Sequence, residues 1–199
     1  MAQGKETPPN PSDEELVDMV LAGQITAFDQ LVLRYQQKLY SVLYNMTSNH
    51  DDTNDLLMET FDKAYRNLAS FKKQSSFYTW IYTIAVHKAI NHSKRKSKTA
   101  NNFSLNDLDP ESGMEFQIPD ASSAADPERQ AHLKDLQIRL NESLQKLSEE
   151  HRAVVVLFDV EGMSHAEITK ILGCTEGTVR SRLHYAHKQL KRYLEKFVQ

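Results

Sequence analysis

Residues 162–190 read GMSHAEITKILGCTEGTVRSRLHYAHKQL, two helical segments joined by a tight glycine turn, the second of them rich in cations. Ser164 followed by Glu167 has the spacing of a capping box, which predicts a helix opening at Ser164 and turning Ala166, Ile168, Ile171 and Leu172 inward. Gly173 can stop that helix, because glycine enters left-handed backbone without penalty. Thr175 is then the N-cap of a second helix whose Val179, Leu183, Ala186, Leu190 and Leu194 recur at helical spacing as one buried stripe. The opposite face holds Gly177, Ser181, His184 and Lys188, flanked by Arg180 and Arg182, whose guanidinium groups can reach phosphates or the acceptor edge of guanine. This is the pattern of a helix-turn-helix, whose second helix enters the major groove by its first turn. The competing reading is a plain helical hairpin with solubilising arginines. Against it, the small residues Gly177, Thr178 and Ser181 leave room to approach a groove, and residues 170–199 carry seven Lys or Arg against two Glu.

That positive tip sits on an acidic chain of 199 residues with a formal net charge of -3. The charge is unevenly spread. Residues 1–62 hold eleven acids and three Lys or Arg, a net of -8, whereas residues 63–106 hold nine Lys or Arg and no acid, a net of +9. Residues 107–169 return to -9 with fourteen acids against five bases, and residues 170–199 stand at +5. Two basic surfaces separated by acidic ones are therefore expected, and nucleic-acid affinity follows the local patch more than the total.

Working outward, the chain reads as all-α: two small helical domains joined by a flexible acidic linker, the carboxy-terminal one a helix-turn-helix. Residues 1–11, MAQGKETPPNP, are polar and proline-rich and read as a disordered tail. The first domain is predicted over residues 12–97. A capping box at Ser12 and Glu15 opens a short helix through Leu16, Met19 and Val20 that ends at Gly23. A long helix follows through Phe28, Leu31, Val32, Tyr35, Leu39 and Leu43. A third opens at Asp51, and a fourth opens at Ser75 or Ser76 and runs to about Lys94. Residues 98–129 read as the linker, with seven acids and no Lys or Arg from Thr99 to Glu128. Helical periodicity resumes in the second domain, residues 130–199. No apolar run approaches a membrane span and no secretory signal is visible, so a cytoplasmic protein is expected. A single cysteine, Cys174, excludes an internal disulfide.

On these residues the chain resembles the extracytoplasmic-function (ECF) group of bacterial sigma-70-type RNA polymerase sigma factors. The segment GCTEGTVRSRL resembles their promoter-reading region. DTNDLLMETFDKAYRNLASF is similar to their core-polymerase-binding helix, and SFYTWIYTIAVHKAINHSKRK to their promoter-melting, minus-10-reading helix. The resemblance covers about residues 12–97 and 130–197, in that order. It implies three surfaces. On the third helix, Leu57, Phe61, Ala64, Tyr65 and Leu68 are read as the buried face. Asp52, Asp55, Glu59, Asp62 and Arg66 are read as the outer face, which the family docks on the clamp helices of the polymerase largest subunit; Met58 stands where the family usually has Gln. For the minus-10 element the resemblance implies Lys72, Lys73 and Ser75 in a loop that receives a flipped base, with Thr83, His87, Lys88, Asn91 and Arg95 along the fourth helix. Phe77, Tyr78, Trp80 and Tyr82 are aromatics able to stack unpaired bases, Trp80 being read mainly as a core residue. For the minus-35 duplex it implies Thr175, Gly177, Thr178, Arg180, Ser181, Arg182, His184, Tyr185 and Lys188, with Tyr185 and His187 at positions where the family commonly shows arginine.

The implied function is a dissociable polymerase subunit whose partners are core RNA polymerase and promoter DNA; an anti-sigma factor is left open. A stand-alone helix-turn-helix regulator is the alternative, and it leaves the acidic third helix without a role. An enzyme is not expected. His184 and His187 lack further ligands nearby, no glycine-rich phosphate loop or nucleophile with a base is present, and no cofactor is called for.

Overall fold

The computed structural model describes residues 11–102 and 127–195. The amino-terminal domain comprises α1 (Asp13–Leu21), α2 (Thr26–Thr47), α3 (His50–Arg66), a 3-10 turn (Leu68–Ser70) and α4 (Phe77–Asn102). The carboxy-terminal domain comprises α5 (Pro127–Gln145), α6 (Glu149–Val155) running on into a π-helical turn (Val156–Val160), α7 (His165–Leu172) and α8 (Glu176–Leu194). No strand occurs among the described residues. All but Pro11 of the expected tail, and residues 103–126 of the expected linker, lie outside them.

Local chemistry fixes the helix ends. Both capping boxes form: Ser12 accepts from the Glu15 N–H while the Glu15 carboxylate takes the Ser12 N–H, and Ser164 and Glu167 repeat the arrangement. α3 opens one turn-position earlier than expected, because Asn49 takes the N-cap and accepts from the Asp52 N–H at 2.8 Å. Gly173 ends α7 at φ 62°, a left-handed conformation that would strain any residue with a β-carbon. α4 continues to Asn102, past the expected end near Lys94. Once nucleated, a helix extends through good formers such as Lys and Arg without an apolar face to bury, so periodicity gave no sign of it.

α2 is the spine of the first core, with Leu31, Leu39, Val42 and Leu43 fully buried, and Phe77, Ile81 and Tyr82 of α4 closing over it. Each such burial contributes about 1.5–3 kcal/mol. In the second domain Val154, Leu157, Ile168, Ile171 and Val179 make the core. Ala166, expected inside, is exposed, while Ile168 and Ile171 carry the buried face of α7. On α3 the buried face is Thr53, Leu56, Thr60, Phe61 and Ala64, leaving Leu57 at the rim and Tyr65 exposed. Thr53 and Thr60 are tolerated inside because their hydroxyls donate to the carbonyls of Asn49 and Leu56 at 2.6 Å. The domains do not stand apart: α6 and α7 pack on α4, and α5, α6 and the π turn pack on α2.

Candidate polymerase and promoter interfaces

α3 presents Asp55, Met58, Glu59, Asp62 and Arg66 to solvent along one side. Asp55 has no ion-pair partner among the described residues, and Met58 is 72% exposed, an apolar group in the middle of an acidic face. Asp62 and Arg66 pair along the helix at 2.8 Å. Glu59 and Asp52 are turned toward α4 instead. The Glu59 carboxylate sits 2.5 Å from the Lys88 ammonium, whose hydrogen bond lowers its pKa. Asp52 is half-buried, and although burial pushes its pKa up, Lys96 at 2.9 Å and His92 at 3.2 Å bring it below the ordinary value. These two carboxylates order α4 as much as they face outward, which the sequence pattern alone did not reveal.

α4 starts where Ser76 accepts from the Thr79 N–H. Phe71, Phe77 and Trp80 pack as a ring cluster at 5.1–5.9 Å, so Trp80 is half-buried packing, as its sequence context suggested. Between Phe71 and Phe77 the chain loops outward, with Lys72 and Lys73 exposed and Ser75 half-buried. Lys73 holds φ 55°, a conformation costing about 1–2 kcal/mol for a residue with a β-carbon, and its ammonium is fixed 2.6 Å from Asp18 of α1. Beyond the loop, Thr83, His87, Asn91 and Arg95 recur every four residues on one side of α4, the last three exposed, with Lys88 beside them. The expected face is therefore continuous. Tyr82 is not on it: it is fully buried under the second domain and unable to stack on a base while the domains are packed.

α8 follows its sequence closely. Thr175 caps α8 by accepting from the Thr178 N–H at 3.2 Å. Gly177, Arg180, Ser181, His184, Tyr185 and Lys188 are exposed together, while Val179, Leu183, Ala186 and Leu190 are buried. Arg180 is held by Glu176 at 2.6 Å, and the His184 and Tyr185 rings meet edge to face at 5.5 Å. Arg182 departs from expectation. It is half-buried and close enough to Glu150 and Lys94 to influence both, which directs it to the junction between the domains rather than to the open face. His187 is engaged by Asp159 at 2.7 Å.

One buried charge escaped sequence reasoning. Arg152, only 6% exposed, donates to the carbonyls of Leu144, Gln145 and Leu147 within its own domain and to that of Met46 in the other. Burial lowers its pKa. Its position between Glu149, Glu150 and a valine run reads as surface in the sequence, and nothing local signals its role.

Two family models match the chain: sigma-70 region 2 over residues 31–99 and sigma-70 region 4 over residues 137–190. The RNA polymerase sigma-H factor of Pseudomonas aeruginosa is 32% identical over 184 residues, 92% of this chain and 94% of that one. The ECF RNA polymerase sigma-E factor of Escherichia coli is 33% identical over 180 residues, covering 90% and 92%. Among solved structures, CnrH in complex with the cytosolic domain of CnrY superposes with a TM-score of 0.66 at 23% identity over 94% of this chain and 99% of that one. RpoE in complex with the anti-sigma factor NepR from Bartonella quintana gives 0.61 at 23% identity over 84% and 96%. These two likenesses establish the fold.

Proposed function

The chain belongs to the ECF group of sigma-70-type RNA polymerase sigma factors, which direct transcription initiation, and from that premise we propose how its surfaces divide the work. The domain at 12–97 docks on the clamp helices of the polymerase largest subunit through the outer side of α3, with Asp55, Met58 and Asp62 at its centre and Asp52, Glu59 and Arg66 at its edges. The same domain captures and opens the minus-10 element with the 72–75 loop and the Thr83, His87, Lys88, Asn91 and Arg95 face of α4. The domain at 130–199 reads the minus-35 duplex through the first turns of α8. The segment 98–129 joins them.

The observation that carries this reading is the coexistence of two unlike exposed surfaces on one chain. One is the acidic, methionine-centred side of α3, and the other is the Arg180–Lys188 face of α8. A helix-turn-helix regulator acting alone has use for only the second. The chain is proposed to have no catalytic activity of its own, the polymerase supplying the chemistry, and to act in the cytoplasm. No helix among the described residues is long and apolar enough to cross a membrane. An anti-sigma partner belongs to the proposal as well, on the precedent of the RpoE and NepR pair. The test is in vitro transcription with core polymerase and a promoter library. Transcripts sharing two spaced elements, dependent on both core enzyme and this chain, are expected; specific promoter binding that is indifferent to core enzyme favours the stand-alone regulator.

A further inference from the structure

The loop at residues 72–75 is pinned on both sides and once in between. Phe71 and Phe77 are buried with their rings edge to face at 5.9 Å, so the chain leaves the domain and re-enters it at neighbouring points. Between them the Lys73 ammonium donates to the Asp18 carboxylate of α1 at 2.6 Å, across 55 residues of chain. Among the described residues, no other hydrogen bond or ion pair reaches residues 72–75. Lys73 is also where the backbone turns left-handed, at φ 55°. That conformation disfavours lysine and persists where surrounding contacts hold it. The far end of the tether is fixed. Asp13 of α1 accepts from the Arg34 guanidinium and the Tyr35 hydroxyl of α2, Arg34 also donates to the Pro11 carbonyl at 2.8 Å, and Leu16 and Val17 are fully buried. Asp18 comes next in the chain and is exposed. α1 carries no part of the polymerase and promoter surfaces proposed above, yet it supplies the polar anchor of this loop.

We propose that Asp18 is a positioning residue for the minus-10 step: through Lys73 it sets the shape of the 72–75 loop, which makes α1 part of the apparatus that selects the captured base. This rests on the assignment of the loop to the minus-10 element. The two loop lysines then have different tasks. Lys72 is exposed, with no ion-pair partner among the described residues, and is left to attract phosphate. The charge of Lys73 is offset by a carboxylate at contact distance, so its attraction for phosphate is largely cancelled and its position is set. A pocket for an extruded base discriminates by where its walls lie, so a loop free to sample other shapes discriminates less. An exposed ion pair biases an equilibrium by about fivefold at most. Asp18 therefore tunes selectivity at one position and contributes little to folding.

The test uses the full chain as Asp18→Lys, as Lys73→Asp and with both substitutions combined, which exchanges the two charges and keeps the net charge of wild type. Backbone order parameters from nitrogen-15 relaxation are read first, on the free protein. Residues 72–75 should lie near about 0.85 in wild type, fall toward about 0.6 in each single variant, where like charges face each other, and recover in the exchanged pair. Circular dichroism checks that each variant folds, and Asp18→Ala, which removes the tether without repulsion, decides the question if a charge reversal does not fold. Promoter sequences are then selected from a library by holoenzymes carrying each chain. Each single variant should lose about two- to fivefold of the preference at one minus-10 position while keeping the minus-35 preference, and the exchanged pair should regain it. Order parameters or minus-10 preference unchanged in Asp18→Lys overturn the proposal. So does an exchanged pair no better than Lys73→Asp alone, the result expected if Lys73 touches DNA directly. A wild-type holoenzyme that selects no minus-10 element refutes the functional assignment and the role in base selection with it, while the order parameters on the free protein still decide the tether.

Discussion

Arg152 donates to the carbonyl oxygen of Met46, 106 residues earlier in the chain, while its other nitrogens hold the carbonyls of Leu144, Gln145 and Leu147. One guanidinium thus sits at the carboxy-terminal ends of α2 and α5, where unpaired carbonyls and the negative ends of two helix dipoles converge. Removing it leaves buried acceptors without donors. Arg152→Ala is expected to lower stability by about 3 kcal/mol or more. Arg152→Lys should recover only a minor part, because an ammonium lacks the fork that addresses several carbonyls at once. Urea denaturation followed by circular dichroism measures both, and an alanine variant as stable as wild type would refute the assignment.

Asp55 and Glu59 lie one turn apart on α3 yet should behave differently when truncated. Asp55→Ala removes an exposed charge that has no ion-pair partner among the described residues, so stability should stay within about 0.5 kcal/mol of wild type while core-polymerase affinity falls. Glu59→Ala also releases Lys88 from its ion pair. The freed lysine should strengthen promoter binding by the holoenzyme at low salt and steepen the salt dependence by roughly 0.7–0.9 for one added phosphate contact. Polymerase pull-down and salt-titrated binding separate the two; identical salt slopes for wild type and Glu59→Ala would count against Lys88 as a phosphate contact.

On α8, Arg180→Ala should cost about 1–3 kcal/mol and relax preference at one minus-35 position, whereas Lys188→Ala should weaken all sequences alike. Ser181→Ala and His184→Ala should alter preference at neighbouring positions. Selection of bound sequences by holoenzymes carrying each variant reads this directly. If all four retained wild-type affinity and base preference, α8 would not be the minus-35 reader.

Closure of the domains should depend on pH with two limbs of opposite sign. Burial raises the Glu161 carboxyl above its ordinary 4.5, against the pull of the Tyr82 hydroxyl and Lys38. The closed form therefore takes up a proton before the open form does, and closure strengthens as pH falls from neutral toward 4.5. Glu150 is shifted the other way by its hydrogen bond to Lys94, so its contribution is complete above 4.5 and is lost as pH falls below that value. Energy transfer between the domains should rise on mild acidification and fall on deeper acidification. Glu161→Gln should abolish the first limb only. A rising limb that survives in Glu161→Gln would assign it to another group.

What the sequence made legible was local. Capping at Ser12, Ser164 and Thr175, the stop at Gly173 and the apolar stripe of α8 depend on residues three or four apart, so spacing was enough to find them. The phase of a short or polar-rich helix was harder to read. Ala166 points outward on an eight-residue helix, and Thr53 and Thr60 replace Leu57 and Tyr65 inside α3, because the back-bonded hydroxyls make threonine acceptable in a core. Least legible were the long-range choices: Glu59 taking Lys88, Arg182 leaning to the seam, and Arg152 and Glu161 meeting the other domain. Each depends on a partner that no local pattern specifies. The candidate face of α8 was readable almost residue by residue, while that of α3 was readable in composition but not in which carboxylates were already engaged.

The π turn at Val156–Val160 bears on all of this through number rather than chemistry. There the Glu161 N–H reaches back five residues to the Val156 carbonyl at 3.0 Å, so the helix carries one residue more than an α-helical turn would hold. Were the same residues wound as an ordinary α-helical turn, everything beyond them would swing by about 100° around the axis. Glu161 would leave Tyr82, Asp159 would leave His187, and the recognition helix would aim elsewhere with every one of its own side chains intact. In this stretch the direction of α8 depends on how many residues one turn holds, and it can be lost with every side chain on the exposed face of α8 unchanged.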